Sequence, residues 1–142
     1  MCILKILSDS HSFFAFAAET DIPIVSCKAK GELRNSSGDE TYQSHRISLD
    51  VSDRDWDDFP GQVSDAILFL SRWEGDLINL MSSHHATEAY LDFPINSRLN
   101  DNIANQNDHL PRELIVLCGR IGLGIEMAIY SRDAFELAET EA

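Results

Sequence analysis

The stretch FPGQVSDAILFLSRWEGDLINLMSS, residues 59–83, constrains this chain more than any other. Val63, Ala66, Ile67, Leu70, Trp73, Leu77, Leu80 and Met81 recur at helical spacing, which predicts one long helix with a single wide apolar stripe. A stripe of that width has to be buried against a second layer. It accounts for Trp73 and Met81 as core residues and asks for no cofactor. Gly75 costs the helix about 1 kcal/mol relative to Ala, which the stripe outweighs.

The second layer is read from alternation. CILKIL predicts a short first strand, and SDSHSFFAFAAET a helix that Ser or Asp can cap, with Phe13, Phe14, Phe16 and Ala17 on its apolar side. IPIVSCKAKGELR alternates, with Val25, Cys27, Ala29 and Leu33 facing one way and Lys28, Lys30, Glu32 and Arg34 the other. After the loop NSSGD, HRISLDVS alternates again with Ile47, Leu49 and Val51 inward, so the two runs make a hairpin. TEAYLDFPI places Ala89, Leu91, Phe93 and Ile95 inward and Tyr90 and Asp92 outward. Pro94 cannot donate to a ladder and is expected near an edge or a strand end.

A polar, asparagine-rich loop follows, NSRLNDNIANQNDH, in which Leu99 and Ile103 allow a short helical turn. LPRELIVLCG predicts a helix with Pro111 in its first turn and Gly119 at a left-handed cap. LGIEMAIYS predicts a last strand with Leu123, Ile125, Met127 and Ile129 on one face and Glu126, Ala128 and Tyr130 on the other. The order β-α-β-β-α-β-α-β begins as a split βαβ, ferredoxin-like arrangement and adds a helix and a strand. The expected fold is one α+β domain over residues 1–142, a mainly antiparallel sheet of about five strands with helices packed on one face.

A chain of 142 residues can build a core without staples. No apolar run approaches the roughly 18 residues of a membrane span. The apolar N-terminal run is broken by Lys5 and meets no small-residue cleavage site, so we expect a cytoplasmic protein with no membrane partner. The net charge of −13 repels nucleic acid and anionic membrane and attracts basic partners. Cys2, Cys27 and Cys118 form no CxxC spacing, which argues against a disulfide framework or a cysteine zinc site; Cys27 and Cys118 read as buried thiols.

Motifs that would carry chemistry fail on position. The glycines of CGRIGLG follow a helix and lead into a strand, the reverse of a phosphate loop, so they read as a cap and a tight connection. DRDWDD carries Asp53, Asp55 and Asp57 at alternate positions, but a calcium loop needs Gly and Glu where this chain has Asp58 and Ser64. His84 and His85 are adjacent and therefore diverge on a helix, and His11, His45 and His109 are scattered. The Ser, Asp and His of SDSHS are too close in sequence for a triad and suit a helix cap. We expect no catalytic residue, no metal site and no cofactor.

What remains is a surface. With helices on one face, the other displays Lys28, Lys30, Arg46, Asp50, Tyr90, Asp92, Glu126 and Tyr130, and outward tyrosines among charges suit a protein interface. The long polar loop adjoins it. The expected binding residues are Tyr90, Asp92, Arg98, Asn105, Asp108, Glu126 and Tyr130.

The segments ILFLSRWEGDLINLM, EAYLDFPI, LPRELIVLCGRIGLG and IEMAIYS resemble a large bacterial family of small domains of unknown function, some thought to act as toxin-immunity proteins. AKGEL is similar to a Lys-Gly-Glu turn near that family's first hairpin. The resemblance implies an α+β sandwich with no recognised active site, and it transfers no functional residues. The expectation is therefore an acidic, non-enzymatic domain that binds a protein, plausibly a basic toxin. The alternatives are a small hydrolase or transferase with a carboxylate/His site in the long loop, and a small-ligand sensor. A deep pocket joining carboxylates with a histidine would favour the enzyme.

Overall fold

The computed structural model describes residues 1–133; the final residues of the expected 1–142 domain lie outside the described residues. Its elements are β1 (Cys2–Ser8), α1 (Phe14–Glu19), β2 (Ile24–Lys28), β3 (His45–Ser52), α2 (Phe59–Ser83), β4 (Glu88–Asn96), α3 (Arg112–Ile121) and β5 (Gly124–Tyr130). They build one five-stranded sheet in the order β2-β3-β1-β4-β5. β1 runs antiparallel to both neighbours and β2 antiparallel to β3, so β2-β3-β1-β4 reproduces the split βαβ arrangement. α3 then carries the chain over to β5, which pairs parallel with β4.

The three helices cover one face of this sheet. α2 lies across β3, β1 and β4, and its Val63, Ala66, Leu70, Leu77 and Leu80 are buried against Leu4, Ile6, Ile47, Leu49 and Leu91. Ile67, Trp73 and Met81 pack half-buried on the rim of that core. Phe59, Gln62 and Phe69 are buried as well, widening the stripe beyond the expected set. Each Leu taken fully from water contributes roughly 1.5–3 kcal/mol, so this contact dominates the fold. At its start, Asp58 Oδ1 accepts from the Gly61 N–H at 2.9 Å and caps α2.

Several expectations are corrected. β2 ends at Lys28 rather than Arg34, because the chain turns through Gly31 at φ +86 and returns only by the isolated bridge Leu33↔Thr41. Val25 is exposed: Ile24 pairs with Leu49 and Ser26 with Ser48, so Val25 is the extra residue of a bulge that turns Ile24 and Cys27 to the core. Leu33 is exposed too. Cys2 and Cys118 are buried, whereas Cys27 is only half-buried on this edge strand.

β4 is an inner strand, and Pro94 lies beyond Asp92, its last residue paired with β1, where β5 alone still pairs. No helical turn joins Leu99 and Ile103, which are both exposed; Asn100 Oδ1 instead accepts from the Asn102 and Ile103 N–H groups in a tight turn. The left-handed cap of α3 is Gly122, at φ +92, and Gly119 is helical. Ile129 sits opposite the buried Ile95 yet is 61% exposed, because it lies near the end of the outermost strand.

Candidate functional site

The helix-free face is built around β1. The alternation of CILKILS turns Cys2, Leu4 and Ile6 into the core and leaves Ile3, Lys5 and Leu7 half-buried on the open side. Register brings Lys5 opposite Tyr90, Ile3 opposite Asp92, and Asp92 opposite Glu126. Lys5 Nζ stands 2.7 Å from Asp92 Oδ2 and 5.8 Å from the centre of the Tyr90 ring. Partial burial opposes its charge, but the hydrogen bond and charge of Asp92, with Tyr90 and Glu126 behind them, hold Lys5 above the ordinary lysine range. Burial also pushes the Tyr90 phenol up, with Lys5 opposing and the acidic neighbours reinforcing.

Two polar atoms of this face are buried without a partner: Asp92 Oδ1 and Arg46 Nε. The Arg46 guanidinium lies 4.7 Å above the Tyr42 ring.

A second feature lies on the helix side. Where α2 and α3 begin, Asp57, Phe59, Val63, Arg98, Asp108 and His109 are among the residues lining an open cavity of about 560 Å³. The loop between β4 and α3 is held over it by a closed set of bonds. Arg98 donates to Asp108 Oδ1 at 2.9 Å and to the Asn107 carbonyl at 3.3 Å. Gln106 accepts from the Arg98 N–H at 2.7 Å and donates to Asp108 Oδ2 at 2.7 Å. The cavity does join carboxylates with a histidine, but His109 makes no hydrogen bond to either among the described residues, so nothing orients it as a general base.

The expected binding residues therefore fall into two groups. Tyr90, Asp92 and Glu126 share the helix-free face, whereas Arg98 and Asp108 hold the loop above the cavity. Tyr130, at the end of β5, stacks on Trp56 with ring centres 4.7 Å apart, and Asn105 is exposed on the loop. Sequence reasoning missed Lys5, although a single charge at an outward position of an apolar strand is a readable signal. It also missed Asp57 and Phe59 as cavity residues, for which no local pattern speaks.

The histidines are less scattered than their sequence positions suggest. His11 meets His85 at 4.7 Å and His84 at 6.4 Å between ring centres, and His84 stacks on the buried Phe13. Ser8, fully buried at the end of β1, ties this corner together by donating to the His84 carbonyl at 2.6 Å and accepting from the His11 N–H at 3.1 Å. No group of three or more His, Cys, Asp or Glu among the described residues is arranged to hold a metal ion. Among them, too, no helix is long and apolar enough to cross a membrane. No family model, curated protein or solved structure matches the chain.

Proposed function

We propose that this chain is a non-enzymatic binding domain whose helix-free sheet face receives a basic protein, and that it acts in the bacterial cytoplasm as an immunity protein neutralising a toxin. The observation that carries the reading is the Lys5–Asp92–Tyr90–Glu126 cluster. Asp92 is paired with Lys5 at 2.7 Å, with the exposed Glu126 opposite it on β5 and Tyr90 opposite Lys5. A cation from a partner can pair with the exposed Glu126, and Tyr90 offers the flat, partly apolar contact typical of interface anchors.

The charge of the whole chain points the same way. Lys5, Lys28, Arg34, Arg54, Arg98, Arg120 and Arg132 each stand beside a carboxylate, and the excess of acidic side chains leaves the net charge of −13. Such a field speeds encounter with a basic protein and repels nucleic acid and anionic membrane. The immunity role rests on the resemblance of the α2, β4, α3 and β5 segments to a family with members of that kind.

The test is affinity capture from native cell extract with the wild-type chain, Tyr90→Ala and Glu126→Lys, each checked for fold by circular dichroism. A basic protein is expected on the wild type, with association slowing as salt rises. Tyr90→Ala should speed its release by at least about 2 kcal/mol, the size of a hot spot. Co-expression with the captured protein should relieve its toxicity. A partner that holds both variants like wild type, with an affinity indifferent to salt, rules this face out. A partner bound here but harmless to cells rules out the immunity role alone.

A further inference from the structure

We infer that the cavity where α2 and α3 begin is a binding site for a small zwitterion with an apolar body, of which free apolar amino acids and short apolar peptides are the simplest members. The inference stands apart from the protein-binding face, since it uses the helix side of the molecule.

Three observations define the ligand. First, Arg98 presents a positioned cation. Its Nη2 is fixed by Asp108, whose side chain is nine-tenths buried, and by the Asn107 carbonyl, while Nε and Nη1 have no partner among the described residues. Second, Asp57 presents an anion. Its Oδ1 accepts from Asn96 and Arg132, leaving Oδ2 without a partner among the described residues. Third, the same lining includes the apolar Phe59, Pro60, Val63 and Pro111, with Phe59 and Val63 nearly buried. The volume of about 560 Å³ falls in the range of small-molecule pockets.

The charges exclude the simpler ligands. A plain anion gains Arg98 but meets Asp57, Asp108 and the negative field of the chain. A plain cation gains Asp57 but meets Arg98 and Arg132. An uncharged apolar molecule strips water from the open N–H groups of Arg98 and the open oxygen of Asp57 and replaces none of it. A zwitterion offers a carboxylate to the open N–H groups of Arg98 and an ammonium to the open oxygen of Asp57, is neutral overall, and lays its apolar part on Phe59.

The experiment is calorimetric titration of the full chain with leucine, phenylalanine and the dipeptide Leu-Leu, which separates the two charges further. Each is compared with 4-methylpentanoate, which keeps the carboxylate alone, and isoamylamine, which keeps the ammonium alone. Saturable binding of at least one zwitterion is expected by about 10 mM, with a matching rise in melting temperature. Both single-charge analogues should bind at least about tenfold more weakly. Asp57→Asn and Arg98→Gln should each weaken the zwitterion by a similar factor. Asp57 is half-exposed, so its variant tests the idea even if Arg98→Gln loosens the loop. Binding of the amino acids but not the dipeptide fixes the charge spacing as short, and the reverse fixes it as long. The inference is overturned if no zwitterion binds, if a single-charge analogue binds as well as the zwitterion, or if Asp57→Asn binds like wild type.

Discussion

Gly119 and Gly122 allow one substitution, glycine to alanine, to be made in two backbone states three residues apart. Gly119 lies inside α3 with nothing within 4 Å of an added Cβ, so alanine there removes only the flexibility penalty of glycine. The expected gain is about 0.8–1 kcal/mol. Gly122 sits at φ +92, where its N–H and that of Leu123 both donate to the Cys118 carbonyl at 2.8 Å. An added Cβ would meet only Met81 Cε at 3.7 Å, an ordinary contact, so its cost is that of the left-handed backbone. That is about 1–2 kcal/mol, reduced by roughly 0.4–1 kcal/mol because alanine also restricts the unfolded chain.

The net expectation is a loss of roughly 1 kcal/mol at Gly122 against a gain of similar size at Gly119. In urea titrations followed by circular dichroism the two midpoints should move in opposite directions by about 0.5 M each, with unchanged slopes. If both variants move the same way, or Gly119→Ala is the one that loses, then α3 does not end where the backbone angle places its end.

Leu70, fully buried in the middle of α2, should cost about 2–5 kcal/mol as Leu70→Ala, read from the same titration. His85, at φ +48, closes α2 in a conformation that favours glycine, so His85→Gly should stabilise by up to about 1 kcal/mol, and a clear loss would mean its contact with His11 matters more. Burial raises the Cys2 thiol and pushes Cys118 up to about 11 from an ordinary 9.0, and Lys5 is raised from 10.5. The folded chain thus keeps protons that the unfolded chain releases, so stability that is complete below pH 9 falls as the pH climbs through 9 and 10. Each buried thiol adds a slope of about 1.4 kcal/mol per pH unit, and an unchanged urea midpoint at pH 10 would contradict it. At pH 8 a thiol reagent should label half-buried Cys27 well before Cys2 and Cys118, as peptide mapping of timed samples would register.

The parts of this fold that were legible in the sequence are those where one period runs unbroken. The α2 stripe and the alternation of β1, β3 and β4 each put a single face into the core, and the structure has those elements with those faces. Where the phase is reset, the pattern misleads. A bulge at Val25 is invisible in a run that alternates on paper, and a left-handed residue can be Gly119 or Gly122 until the end of the helix is known. Ile129 has the right parity but is exposed, because burial at an outer strand depends on neighbours that its own segment does not specify. The candidate sites divide in the same way. Tyr90, Asp92 and Glu126 share a face because strand parity says so, whereas Asp57 and Arg98 line one cavity only through the packing of a loop over the start of α2.

The central place of β1 has a consequence for how the chain is made. Leu4 is bonded between Leu49 on one side and Leu91 on the other, so β1 is completed only when β4 arrives. With roughly eighty residues still to be translated, that wait lasts about 4–16 s at ordinary synthesis rates. Until then CILKIL keeps the β4 edge of its ladder unpaired, the kind of segment that invites wrong pairing between nascent chains. Lys5, the one charge in that run, then serves as a gatekeeper in the newborn chain before it serves as the partner of Asp92 in the finished one.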